Sequence, residues 1–232
     1  MNILSFDTSS KAASVSLIMD NVLIGEIVIN DKRTHSQKLM PMLENLFSLA
    51  NIKVEDIDLL GVCIGPGSFT GLRIAMATVK AMAHVRSLPI VAVDSLEGLA
   101  NNVSNSGADV VPILDAQGTN VYTSWYSNNK RIKDIEVLDI DELIDAIKAH
   151  SKNVIVLGEA VEKYKEKLIM VKNIEFVTSE KNILKASSIG TIAIKKYNAG
   201  MDIYNCYDIL PMYIRKSQAE IQYEERHNEN NI

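Results

Sequence analysis

Apolar residues along this chain alternate between two kinds of run. "NILSFD" near the start is almost continuously apolar, the pattern of a strand buried on both faces. "AASVSLIMD" alternates small polar with apolar residues, and Asp20–Asn21 turns it into a third extended run, "VLIGEIVIN". From about Ser36 to Ala50 the spacing becomes helical, with Thr34 or Ser36 as cap. Next come a buried strand "LLGVCI", the glycine turn "IGPGSFTGLR", a helix ending before Pro89 and the short strand "IVAV". Asp94 or Ser95 caps the following helix, "LEGLANNV". The order is strand, strand, strand, helix, strand, helix, strand, helix.

The order starts again beyond "NNVSNSGAD", a stretch rich in Asn, Ser and Gly that reads as a boundary near Asn105. "DVVPILD", "TNVYTSWY" and "KRIKDIEVLD" predict three strands. Helix "DELIDAIKAH", strand "NVIVLG", helix "AVEKYKEKLI", strand "IEFVT" and helix "ASSIGTIAIKKY" follow. Asp7 closes the first strand of one half and Asp115 its counterpart, and a turn comes fourteen residues after each, at Asn21 and Asn129. The pattern predicts an α/β protein of two similar lobes produced by duplication, with mixed sheets, flanking helices and a cleft between them. Two unrelated lobes are the simpler alternative. The expected boundaries are 1–105 for an N-terminal lobe, 106–216 for a C-terminal lobe and 217–232 for a polar tail.

Composition narrows the functional classes. At 47% hydrophobic residues over a chain of 232, a substantial core is available. The net charge is −5 with no long basic run, which argues against this chain gripping a nucleic acid by itself. It does not argue against membership of a complex that acts on RNA. Cys63 and Cys206 lack ligand spacing and read as small buried residues in a reducing compartment. The N-terminus runs directly into a strand without a leader pattern, and no apolar run is long enough to span a bilayer. A cytoplasmic protein with no membrane association is expected.

Candidate chemistry centres on the glycine turn. Gly71 is followed by Leu72 and Arg73 where a nucleotide-hydrolase phosphate loop needs Lys and then Ser or Thr. The dinucleotide fingerprint is not matched either. Two readings stay open: a structural turn stiffened by Pro66 and capped by Ser68 or Thr70, or weak anion binding at the helix N-terminus. Asp7, Thr8 and Ser9 are candidates for a weak nucleotide contact, with Asp7 read equally well as a turn cap. His35, His84, His150 and His227 show no ligand spacing.

The helix behind the turn carries more information. Arg73, Lys80 and His84 fall on one narrow stripe, and nearly everything else from Phe69 to Val85 is apolar or small. Gly71, Ala75, Ala77 and Ala81 permit close approach of another backbone. On the preceding helix, Leu39, Met40, Met42, Leu43, Leu46, Phe47, Leu49 and Ala50 spread over about half the cylinder. This surplus predicts a helical protein–protein interface carried by His35, Leu39, Met42, Leu43, Leu46, Phe69, Gly71, Arg73, Ala75, Met76, Ala77 and Lys80. The alternative is a deep core within a layered lobe.

The motifs "FDTSS", "THSQKLMPML", "GPGSFTGLRIAMA", "VAVDSLEGLA" and "PMYIRKSQAE", in that order and spacing, resemble the TsaB (YeaZ) family over nearly the whole chain. The resemblance implies an actin-like, ribonuclease-H-like fold. It also implies a part in making N6-threonylcarbamoyladenosine at position 37 of tRNAs. Such proteins are dimerisation and scaffold subunits for the catalytic paralogue TsaD, joined by the ATPase TsaE, with tRNA met only through the complex and a homodimer as a further state. The catalytic paralogue is expected to carry metal-binding histidines in "NHLEGH"; here "DSLEGL" puts Ser95 and Leu99 at those positions. A non-catalytic subunit without metal or cofactor is therefore expected. Gln117 stands where the family commonly has a basic residue, and Ala75 where Gly is frequent. The competing expectation is an actin-like ATPase, kinase or metallopeptidase built around Asp7 and acting alone.

Overall fold

The computed structural model describes residues 1–103 and 106–215. The first half opens with β1 (Asn2–Asp7), β2 (Ala13–Met19) and β3 (Val22–Ile29), then α1 (His35–Ala50), β4 (Leu59–Gly65), α2 (Phe69–Arg86), β5 (Ile90–Asp94) and α3 (Ser95–Asn101). The second half gives β6 (Asp109–Asp115), β7 (Asn120–Ser127), β8 (Lys130–Asp139), α4 (Ile140–Lys148), β9 (Val154–Leu157), α5 (Ala160–Leu168), β10 (Ile174–Phe176), α6 (Ala186–Asn198) and β11 (Ile203–Tyr204).

Local chemistry explains these elements. Asp20–Asn21 and Asn128–Asn129 all have positive φ, as two-residue hairpin turns require. The Gln37 side chain accepts from the Thr34 N–H at 3.2 Å at the start of α1. Ser68 Oγ accepts from Gly71 N–H at 3.2 Å to cap α2, and Asp94 Oδ1 accepts from Glu97 N–H at 2.8 Å to cap α3. Asn51 and Ser87 end α1 and α2 in the left-handed region.

The two sheets repeat one plan. The first has the order β11-β5-β4-β1-β2-β3 and the second β10-β9-β6-β7-β8. In each, the first strand of its half pairs antiparallel with the second and parallel with the strand after the first helix. Beyond this shared plan the first sheet gains β11, antiparallel to β5. The sequence did not reveal β11, because a two-residue strand is too short to show alternation.

Helices form three layers around the sheets. α1 and α2 cover the outer face of the first sheet, with Leu39, Met42, Leu43, Leu46, Ala75, Met76 and Val79 packed on Leu4, Phe6, Val15, Leu60 and Val62. α4 and α5 cover the outer face of the second sheet. Between the sheets lie α3 and α6, and a continuous apolar layer joins Val91, Leu96 and Leu99 to Leu114, Tyr122, Ile155, Ile189 and Ala193.

Two expectations change here. Linear order places residues 186–209 with the C-terminal lobe, but α6 packs on β1, β2, β4 and β5, β11 joins the first sheet, and Ile209 is buried in the α1/α2 core. The chain crosses back to its starting sheet, which linear order cannot express. The expected boundary at Asn105 and the tail 217–232 lie outside the described residues.

The second correction concerns the interface list. Leu39, Met42, Leu43, Leu46, Gly71, Ala75 and Met76 are buried inside their own lobe. They form the inner stripe of each helix and serve the sheet beneath. The deep-core alternative therefore describes this stripe. Gly71 is fixed there by backbone: a Cβ on it would sit 1.9 Å from Thr8 O.

Gly71→Ala should therefore destabilise the chain by about 1–3 kcal/mol, the usual range for forcing atoms into a packed interior. Urea unfolding of the parent and the variant measures this, and an unchanged midpoint would show that the β1–β2 turn and the start of α2 move apart easily.

Candidate functional site

Two places on this framework have functional character: the cleft between the lobes, and the outer faces of α1 and α2. The cleft has a volume of about 500 Å³. Ser9, Ser10 and Lys11 reach it from the β1–β2 turn, Gly67 to Thr70 from the glycine turn, Asp115 to Gln117 from the end of β6, and Glu159 from the start of α5. His35, Tyr122 and Arg215 complete the wall.

The glycine turn is seated directly on the first aspartate turn. Ser68 N–H donates to Ser9 O at 2.7 Å, and Thr8 Oγ1 donates to Gly71 O at 2.7 Å. A Cβ on Gly67 would lie 2.3 Å from Ser9 O. Gly65 has φ +112 and precedes a cis bond to Pro66. The glycines thus allow two backbones to touch, which satisfies the structural reading of "GPGSFTG".

Asp7 and Thr8 are fully buried and do not line the cleft; of the three candidate nucleotide contacts, only Ser9 does. The Asp7 carboxylate accepts from Ser9 N–H at 2.9 Å, the turn-cap role, while its other oxygen is buried without a hydrogen bond. Burial pushes its pKa up to about 6, against the lowering effect of its hydrogen bonds with Ser9.

The cleft's charges are mixed. Lys11 and Arg215 face Asp115 and Glu159, and Asp115 is engaged by Lys163 at 2.8 Å. Burial raises the pKa of Glu159. Burial and the nearby Lys38 charge lower that of His35, so its imidazole is neutral at pH 7. Gln117 sits in the wall with φ +67, and its N–H donates to Asp115 Oδ1 at 3.1 Å. Among the described residues, the lining balances the cations Lys11 and Arg215 against the carboxyl groups Asp115 and Glu159.

Ser95 and Leu99, which the resemblance sets against metal-binding histidines, are interior. Ser95 Oγ donates to Pro66 O at 2.6 Å, tying α3 to the glycine turn, and Leu99 is part of the layer between the sheets. A hydroxyl already donating to a carbonyl and an isobutyl group do not fit a divalent metal. Among the described residues, no group of three His, Cys, Asp or Glu gathers at metal-binding distance.

Several contacts clamp the lobes. Asp94, at the end of β5, meets Arg131 of β8 at 2.5 Å, and Arg131 also donates to Tyr126 Oη at 2.9 Å. Lys11 N–H, in the β1–β2 turn, donates to Glu159 Oε2 at the start of α5 at 3.4 Å. Sequence reasoning missed the Asp94–Arg131 pair because its partners come from different sheets.

The outer faces of α1 and α2 differ from their inner stripes. Met40 is 52% exposed, Leu49 83% and Val85 80%. Ala77, Ala81, Arg73 and His84 are also exposed, while His35, Phe69 and Lys80 are partly so. Of these, Phe69, Arg73 and His84 already have an intramolecular neighbour: the Tyr213 ring stacks on Phe69 with centroids 4.6 Å apart, Arg73 Nε donates to Tyr213 Oη at 2.9 Å, and Tyr207 Oη lies 3.1 Å from His84 Nδ1. The sequence signal for this contact was present in "PMYIR", whose Tyr and Arg stand out in a stretch without regular periodicity.

Two duplicated sheets, helices between them and a cleft at the strand ends define a two-lobed protein of the actin-like class. The ROK hexokinase of Thermus thermophilus shares this fold at a TM-score of 0.50 and 10% identity, covering 86% of this chain and all of that one. YeaZ from Pseudomonas aeruginosa superposes with a TM-score of 0.80 at 25% identity, over 92% of this chain and 99% of that one. The Bacillus subtilis tRNA threonylcarbamoyladenosine biosynthesis protein TsaB is 28% identical over 229 residues, 96% of this chain and 98% of its own. The profile of the family described as "TsaD: tRNA N6-adenosine threonylcarbamoyltransferase" matches residues 22–223. This chain belongs to that family and, within it, to the TsaB (YeaZ) group.

The Asp7 environment gives a pH signature. Its folded pKa of about 6 exceeds the ordinary 3.8, so the folded state binds this proton more tightly than the unfolded state. The associated stability is fully present below pH 3.8 and is lost as pH rises through 6. The full difference is about 3 kcal/mol. Asp7→Asn keeps an oxygen for Ser9 N–H and removes the titration. It should gain stability relative to the parent at pH 7.5 but not at pH 3.5, as measured by urea unfolding at both. Equal differences at the two values would refute the assignment.

Proposed function

We propose that this chain is a non-catalytic subunit in the synthesis of N6-threonylcarbamoyladenosine at position 37 of tRNA, and that it supports the catalytic relative TsaD by binding it. The observation that carries this reading is the pair Ser95 and Leu99. Both stand where the resemblance expects metal-binding histidines, and both are buried in structural contacts. Asp7, the residue around which an independently acting enzyme was envisaged, is sealed from the cleft and caps a turn.

The docking face is the outer surface of α1 and α2. Ala77 and Ala81 offer a low stripe on α2 for close backbone approach, bordered by Lys80 and His84, and Met40 offers an adaptable apolar side chain on α1. The burial of the inner stripe moves the contact from Leu39, Met42, Leu43, Leu46, Ala75 and Met76 to these neighbours. A second copy of the chain could use the same face in a homodimer when TsaD is absent. TsaE and tRNA would join through the assembly in the cytoplasm.

Purified chain, TsaD, TsaE and tRNA are mixed with the reaction's substrates, each protein being omitted in turn. Modification should require both this chain and TsaD, and neither should act alone. Ala77→Glu should lower the affinity for TsaD at least about 100-fold, or about 2.7 kcal/mol, with thermal stability unchanged. Undiminished capture by this variant would remove the α2 face from the interface, and turnover by the isolated chain would overturn the non-catalytic reading.

A further inference from the structure

The segment 205–215 has no regular secondary structure, yet it is anchored along its length. Ile209 is buried in the core beneath α1 and α2. Met212 N–H donates to Ile64 O at 2.7 Å, and Met212 O lies so near Gly65 that a Cβ there would meet it at 2.9 Å. Tyr207 Oη lies 3.1 Å from His84 Nδ1 near the end of α2, whereas Tyr213 lies on Phe69 and Arg73 at its start. The segment therefore runs antiparallel along the side of α2. At its far end Arg215 Nη1 donates to Ala116 O across the cleft.

These contacts share a geometry that core packing alone does not supply. The Phe69 and Tyr213 rings are nearly parallel, with an interplanar angle of 11°, and the Arg73 guanidinium lies 5.6 Å from the Tyr213 ring centre. One aromatic ring thus engages an aromatic neighbour, a cation and a hydrogen-bond donor at once. Phe69 and Arg73 occupy the first turns of α2, and Ala77 and Ala81 continue the same line at intervals of four residues.

We propose that residues 205–215 form a strap that holds α2 in register for docking, with Tyr213 as a positioning residue at its clasp. The strap restrains the first turns of the helix, and Ala77 and Ala81 are presented at a fixed height beside it. The final step, from restraint to docking, rests on the function proposed above; the restraint itself does not.

Amide hydrogen exchange of the full chain tests the restraint without a partner. Tyr213→Ala should speed exchange across Leu72–Met76 by at least about tenfold, while amides of β6 and β9 stay protected. Tyr213→Phe, which keeps the ring, should restore most of the protection. Unchanged exchange in Tyr213→Ala overturns the strap. If that variant does not fold, Tyr213→Leu serves instead, being apolar but unable to stack or accept from Arg73.

TsaD capture then tests the final step. Affinity should fall about tenfold in Tyr213→Ala and recover in Tyr213→Phe. Faster exchange with full affinity would overturn the link to docking. Ala77→Glu separates the two ideas, because it should abolish capture without altering exchange. If it captures TsaD normally, the docking face is wrong, and the exchange result still decides the strap.

Discussion

The structure depends on the apolar layer between the two sheets. Neither sheet can leave its inner face in water, and the space is filled by α3, which packs on strands of both sheets, and α6, which packs on the first sheet and on α3. Because α6 comes from the second half of the chain and rests on the strands of the first, the lobes share a core. The Asp94–Arg131 pair and the Lys11–Glu159 contact then link them at the margins. This shared core defines the cleft, and it also uses up the space in which Ser95 and Leu99 stand.

The glycine turn is a second consequence of close packing. In a phosphate loop, glycines bring backbone N–H groups to a ligand. Here Gly67 and Gly71 bring backbone to backbone, so the ligand's place is taken by the β1–β2 turn. Asp7 is closed in by the same arrangement. Burial raises the pKa of this carboxyl group toward neutrality, and the oxygen that is engaged accepts from Ser9 N–H as a turn cap rather than facing the cleft.

The surface of α2 has two owners. Its inner stripe belongs to the sheet, and its first turns belong to the strap of residues 205–215. What remains outward is short and made of small residues, with exposed apolar side chains at the end of α2 and on α1. Small residues at intervals of four provide a smooth surface on which another helix can lie closely, but they contribute little apolar area individually. A partner on this face would gain from adjoining side chains such as Met40 and from a helix whose position is already fixed.

Much of this was legible in the sequence because its causes are local. Asp20–Asn21 and Asn128–Asn129 made both hairpins visible, Ser68 and Asp94 marked helix starts, and the repeated strand order exposed the plan that the two sheets share. That Ser95 and Leu99 offer no pair of metal ligands was legible too, since ligand chemistry belongs to the side chain itself. Periodicity could show that α1 and α2 carry surplus apolar surface, but not how it was divided between the sheet below, the strap and solvent. That division depends on residues distant in sequence: Tyr213 reaching Arg73, α6 returning to β1, Arg131 reaching Asp94. Such contacts are set by burial in three dimensions, and only the folded chain decided them.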